Sequence, residues 1–134
     1  MRKACVLLVA SFLAIALLAI SGCGDEASSE SPREVADKYM KASVALDVDA
    51  AYNLLSQVDQ DNVSKEQMQA EAEQMEGIDF SYELGEEKIS GDEATVEVTL
   101  IVEDEESGES ERLGETLNLI KENGEWKIYM GDSL

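Results

Sequence analysis

The sequence predicts an α+β domain, a helical first half followed by an antiparallel sheet, and two observations predict it. From Pro32 to Gly77 apolar residues recur at helical spacing behind serine and aspartate caps. From Ile78 to Met130 they recur at every second position between turn residues, the period of half-buried strands. A third observation sets the start of the chain apart: an apolar run that closes on Ile20-Ser21-Gly22-Cys23, followed by the small and acidic stretch Gly24 to Ser31. The expected architecture is three N-terminal helices packed on one face of a curved four-stranded antiparallel sheet, because such a sheet needs a layer over its apolar side.

The start of the chain reads as an address. Arg2 and Lys3 form a positive region, Ala4 to Ile20 is apolar except for Ser11, and Ser21-Gly22 supplies the small residues that a signal peptidase requires. An uncleaved anchor is the alternative, since the run is near the roughly 18 residues needed to span a bilayer. The Gly-Cys ending and the polar stretch after it speak for cleavage. These four residues resemble the lipobox of bacterial lipoproteins. The resemblance implies cleavage between Gly22 and Cys23, a diacylglyceryl thioether on Cys23 with further palmitate-type acylation, and residence on the extracytoplasmic side of the cell membrane or outer membrane. Residues 1–22 are then the signal peptide, 23–31 the lipidated cysteine and a flexible acidic tether, and 32–134 one α+β domain.

Composition excludes several functions. Cys5 leaves with the signal and Cys23 carries lipid, so no thiol remains for a disulfide, a metal or catalysis, and there is no histidine. Ser-His-Asp and Cys-His chemistry and imidazole ligation are therefore absent. Without Arg2 and Lys3 the mature chain has 8 basic against 30 acidic residues, a net charge of −22. That field repels phosphate backbones and anionic lipid, so no nucleic-acid partner is expected. Adaptation to high salt and an ordinary acidic secreted surface both account for it.

The first helix starts at Pro32, with Ser31 as N-cap and Glu34 completing a capping box, and Val35, Tyr39, Ala42 and Leu46 share its apolar face. Asp49 is read as the cap of a second helix, Ala50 to Leu55. Asp59-Gln60-Asp61-Asn62 reads as a loop, and Ser64 with Gln67 caps a third helix that Gly77 stops. Its thin stripe, Met68, Ala72 and Met75, suggests a lid. Ile78, Phe80, Tyr82 and Leu84 mark the first strand, and Ala94, Val96, Val98, Leu100 and Val102 the long second one. Leu113, Leu117 and Leu119 carry the third, and Asn123-Gly124 turns the chain into Trp126, Ile128 and Met130. Val98 and Trp126 are expected as core anchors.

Three stretches resemble one superfamily: Pro32 to Tyr39 (Pro-Arg-Glu-Val-Ala-x-x-Tyr), Asp49 to Ser56 (Asp-Ala-Ala-Tyr-x-Leu-Leu-Ser), and Asn123 to Ile128 (Asn-Gly-Glu-Trp-Lys-Ile). They look like the small lipoproteins of the nuclear transport factor 2-like, cystatin-like superfamily. The resemblance implies a cone between helices and sheet that holds a small apolar ligand in some members and a base with a tyrosine or acid donor in others, such as ketosteroid isomerase and polyketide cyclases. Many members place a strand or hairpin before the third helix, and only Val58 to Val63 could do so here, which implies a smaller pocket. No residue matches the catalytic positions.

The local candidates are Tyr39, Tyr52 and Tyr82 as donors and Glu115, which falls between Leu113 and Leu117, as a base if it is buried. A solvated Glu115 near the sheet rim is the plainer alternative. Asp59 and Asp61 begin like a calcium loop, but Val63 and Lys65 take later ligand positions and no glycine makes the turn. Glu103 to Glu106 with Glu109 reads as a solvated hairpin tip, so no metal and no cofactor is expected. The expected function is a non-enzymatic, membrane-anchored domain that binds a small ligand or an envelope partner protein. The alternative is a pocket enzyme of the isomerase or cyclase kind that uses a carboxylate and a tyrosine.

Overall fold

The computed structural model describes residues 30–104 and 106–131. The signal segment, the lipid-site Cys23 with Gly22, and nearly all of the tether lie outside the described residues. Helix α1 spans Pro32–Val44 and begins with a capping box. The Glu34 amide donates to Ser31 Oγ at 3.2 Å and the Ser31 amide donates to Glu34 Oε2 at 2.7 Å, so two otherwise orphaned donors are satisfied reciprocally. These bonds from Ser31 hold the Glu34 carboxyl below its ordinary pKa. After α1 the chain turns through Leu46, whose φ of 55° is unusual for a residue with a side chain.

Helix α2, Val48–Asn53, begins two residues earlier than expected, because Asp47 rather than Asp49 is its cap and accepts from the Ala50 amide at 3.1 Å. The stretch read as a loop is a helix. Helix α3, Gln57–Asn62, is capped by Ser56, and helix α4, Lys65–Gln74, by the expected capping box of Ser64 and Gln67. Among the described residues the helix count is therefore four, not three. Helix α4 carries no buried residue and leans on α2 rather than spreading over the sheet. Lys65 joins them, its ammonium 2.6 Å from Asp49 Oδ1 and 5.3 Å from the centre of the Tyr52 ring.

The sheet has four antiparallel strands in the order β1-β2-β3-β4: β1 Asp79–Ser90, β2 Glu93–Glu103, β3 Ser110–Glu122 and β4 Glu125–Tyr129. The β1–β2 ladder shifts register between Leu84 and Glu87, where β1 bulges. Asn123 and Gly124, at φ 50° and 83°, form the two-residue turn into β4 that an Asn-Gly pair favours. Strand β4 is short and pairs only with Asn118 to Glu122 of β3. On its far side Leu55 makes a parallel bridge to Ile128, with Ser56 N donating to Ile128 O at 2.7 Å and Ile128 N to Leu54 O at 2.8 Å.

Helix α1 packs on β1, β2 and β4. Between them lies the core: Val35, Ala36, Leu55, Ala94, Val96, Leu119, Trp126 and Ile128. Each full-sized apolar side chain buried there contributes about 1.5–3 kcal/mol by leaving water. Val98 and Trp126 are buried, as the alternation implies. The same alternation on β2 runs on to Leu100 and Val102, which are only half-buried, and across to Leu113 on β3, which is 42% exposed.

Candidate functional site

Half of the helix-facing side of the sheet is thus left uncovered. Register places Val98 beside Glu115, Leu100 beside Leu113 and Val102 beside Glu111 on β3, and Leu100 beside Tyr82 and Val102 beside Phe80 on β1. Because successive strand residues alternate faces, all of these point to the helix side. No helix reaches over the first half of β3 as α1 does over β1, β2 and β4. The result is an apolar strip, Phe80, Leu100, Val102 and Leu113, rimmed by Glu111 and Glu115.

The sequence candidates fall into different places. Glu115 does share a face with Leu113 and Leu117, but it is exposed at the open end of that face, the solvated alternative. Tyr39 is half-buried against the core together with Leu117 and Met68. Burial first, and then the negative field of Glu115, Asp59 and Glu71, pushes the Tyr39 hydroxyl above its ordinary pKa, while Ser43 opposes the shift. Tyr52 is committed to structure, donating to Gln60 O at 3.0 Å. Tyr82 donates to Asp37 Oδ1 at 2.7 Å, and burial followed by that carboxylate raises its pKa to about 12. Tyr52 and Tyr82 are thus bonded elsewhere, and Tyr39, the one within the field of Glu115, faces a carboxylate that is exposed rather than water-excluded as catalysis by an acid and a tyrosine would require.

Asp59 is the residue that sequence reasoning misplaced. It is 1% exposed, and its Oδ2 accepts from Ser56 Oγ at 2.6 Å and from Met130 N at 2.9 Å. Its Oδ1 is buried with no hydrogen-bond partner. The available signal is Ser56 with an acid three residues on, the spacing of a capping box, in a stretch expected as a loop. The carboxylate ties the start of α3 to the end of β4.

Two hollows open on the surface. One, of about 630 Å³, lies between the α1–α2 turn and α4, lined by residues such as Leu46, Asp49, Lys65 and Glu73. The other, of about 360 Å³, lies beside Tyr52 and the α3–α4 turn. Both are polar in character, and neither lies between the helices and the sheet. Among the described residues no group of three or more acidic side chains is placed to hold a metal ion.

An antiparallel four-stranded sheet with helices on one face is a fold that this chain shares with cystatin-like and ketosteroid isomerase-like proteins. Residues 34–133 match the family described as the C-terminal domain of the anti-sigma-I factor RsgI9, and the chain belongs to it. No curated protein matches the sequence. Among solved structures, a SEC-C motif containing protein of Rhodopseudomonas palustris is similar, with a TM-score of 0.62 at 20% identity over 78% of this chain and 79% of that one. A hypothetical protein of Catenulispora acidiphila with a ketosteroid isomerase-like fold, solved with trimethylamine, has a TM-score of 0.54 at 12% identity, covering 75% and 85%. A Nostoc punctiforme protein with a cystatin-like fold has 0.50 at 18%, covering 79% and 97%. At such identities the likeness is one of fold.

Proposed function

We propose that this chain is a lipid-anchored extracytoplasmic lipoprotein whose α+β domain binds an envelope partner protein and catalyses no reaction. The observation that carries the reading is the apolar strip of Phe80, Leu100, Val102 and Leu113, left open on a face that its own alternation was built to bury. A broad open face suits a protein surface better than a small ligand, which is held by enclosure. The exposed Glu115 and the committed hydroxyls of Tyr52 and Tyr82 speak against the carboxylate–tyrosine enzyme. The family's namesake belongs to an anti-sigma-I factor, a name that declares a protein target rather than a reaction. The lipobox-like Ile20-Ser21-Gly22-Cys23 supports the anchor.

The test is a photoreactive residue at position 113, compared with one at position 97 on the outer face, in cells that express the full chain. A defined adduct from 113 and none from 97 is expected, and Cys23→Ala should abolish both labelling by palmitate and the adduct. No adduct from 113 would overturn the binding reading, and fatty-acid labelling that survives Cys23→Ala would overturn the anchor.

A further inference from the structure

Among the described residues, the first half of β3 is a stretch of sheet edge with no strand beside it. The outer edge of β1 is interrupted by the bulge at Leu84 to Glu87, where Arg33 of α1 binds it with a guanidinium bonded to Leu84 O and Gly85 O and a backbone amide bonded to Glu87 Oε2. On β4 the edge is bridged by Leu55. Strand β3, however, runs from Ser110, while β4 joins it only from Asn118 onward, so Ser110 to Leu117 has no strand partner on that side among the described residues.

Which backbone groups are free follows from the turn. Glu122 and Glu125 flank a two-residue loop and form a hydrogen-bonded pair, so even-numbered residues of β3 direct their amides and carbonyls to the β4 side. Lys121 N, which donates to Asp92 O at 2.8 Å, confirms that odd-numbered ones face β2. Ser110, Arg112, Gly114 and Thr116 therefore present free donors and acceptors outward. The run holds no proline, lysine or bulge, its charges Glu111, Arg112 and Glu115 discourage a like-charged edge while favouring an opposite one, and Gly114 leaves open space around its α-carbon.

We propose that this edge is a docking strand that takes an extended segment of a partner protein by β-augmentation, the segment alternating apolar and basic residues on its helix-facing side. The proposal rests on the binding reading above and names the partner's chemistry. On that side β3 presents Glu111, Leu113, Glu115 and Leu117 in turn, so a cross-strand neighbour must be basic, apolar, basic and apolar to match. A second copy of this chain is a poor occupant, since two such edges lay glutamates near glutamates and bring two charges of −22 together. The chain's own Asp25, Glu26 and Glu30 carry the same wrong sign.

The probe is the eight-residue peptide Val-Thr-Lys-Thr-Val-Thr-Lys-Thr, titrated into the isotope-labelled full chain while amide exchange is followed. Exchange at Arg112, Gly114 and Thr116 should slow several-fold, with Leu113 and Leu117 unchanged, and the effect should weaken with salt. A peptide N-methylated at alternate positions, or one with glutamate in place of lysine, should do nothing. The double variant Glu111→Lys with Glu115→Lys, both exposed sites, should lose the lysine peptide and gain the glutamate one.

If the three amides are already slow in the free protein, or slow only with rising protein concentration, the edge is occupied by this chain or its copy and the proposal is overturned. If the peptide perturbs Leu100 and Val102 but leaves these amides untouched, the docking strand falls while the binding face stands. If it perturbs neither, the docking strand falls, and cross-linking from position 113 decides the binding reading separately.

Discussion

The two halves of the sheet's helix-facing side are built from the same kinds of residue and end in opposite states. Toward β4, Ala94, Val96, Leu119, Trp126 and Ile128 are sealed under α1 and the α2–α3 connection; toward the β2–β3 loop, Leu100, Val102 and Leu113 remain in contact with water. What separates them is the reach of the helices, since α1 is 13 residues long and α4 rests on α2 instead of on β3. Stability belongs to one half, and the proposed recognition surface to the other.

The sharpest way to break this division is Trp126→Ala. The indole is 8% exposed in the sealed half, with the Lys121 ammonium 5.7 Å from its ring centre. Its loss should destabilise the domain by roughly 3–5 kcal/mol, read as a lowered denaturant midpoint. An unchanged midpoint would erase the distinction. Next comes Asp59→Ala, which strands the Met130 amide and the Ser56 hydroxyl and should destabilise by about 2–3 kcal/mol, with faster exchange at Met130. Neutral behaviour there would mean that the carboxylate is not what ties α3 to β4.

A pH profile probes the boundary between the halves, where Tyr82 of β1 meets Asp37 of α1. The folded pKa of Tyr82 is raised from 10.0 to about 12, so its contribution is full below pH 10 and lost as pH climbs to 12. Asp37 is held low, chiefly by its bond to Lys41 and then by Tyr82, so its contribution is full above its ordinary 3.8 and lost as pH falls through the folded value. Tyr82→Phe should shrink the alkaline loss to the part that the raised Tyr39 hydroxyl contributes, and soften the acid one. An alkaline fall in thermal midpoint as large as the parent's would refute the assignment. The smallest effect belongs to Leu113→Ser: at 42% exposure it should shift stability by no more than about 0.5 kcal/mol. A large loss would show that this half is core after all.

Legibility in the sequence followed the physics of each signal. Both capping boxes, Ser31 with Glu34 and Ser64 with Gln67, were readable because they are local and chemical. The strands were readable because their period is. Helix α3 was not, since Gln57–Asn62 contains a single apolar residue, Val58, and that one is 50% exposed. The burial of Asp59 depends on Met130, 71 residues away, and no local pattern carries it. Period two also says which face Leu113 and Glu115 take without saying how far the helices extend. The open strip and the free run of β3 were therefore invisible in the sequence, and they are the candidate site.

Arg33 has a mechanical consequence. It stands one residue into α1, directly after the segment that a membrane anchor would pull, and it is bonded to Leu84, Gly85 and Glu87 of β1. Tension arriving at Ser31 is therefore not spent fraying the helix from its end. It passes sideways into a strand laddered to β2 on both sides of its bulge, where many bonds share the load in shear. If the chain is anchored as proposed, Arg33 is the coupling through which force on the N-terminal side enters the sheet at β1, at the opposite end of the strand order from β4.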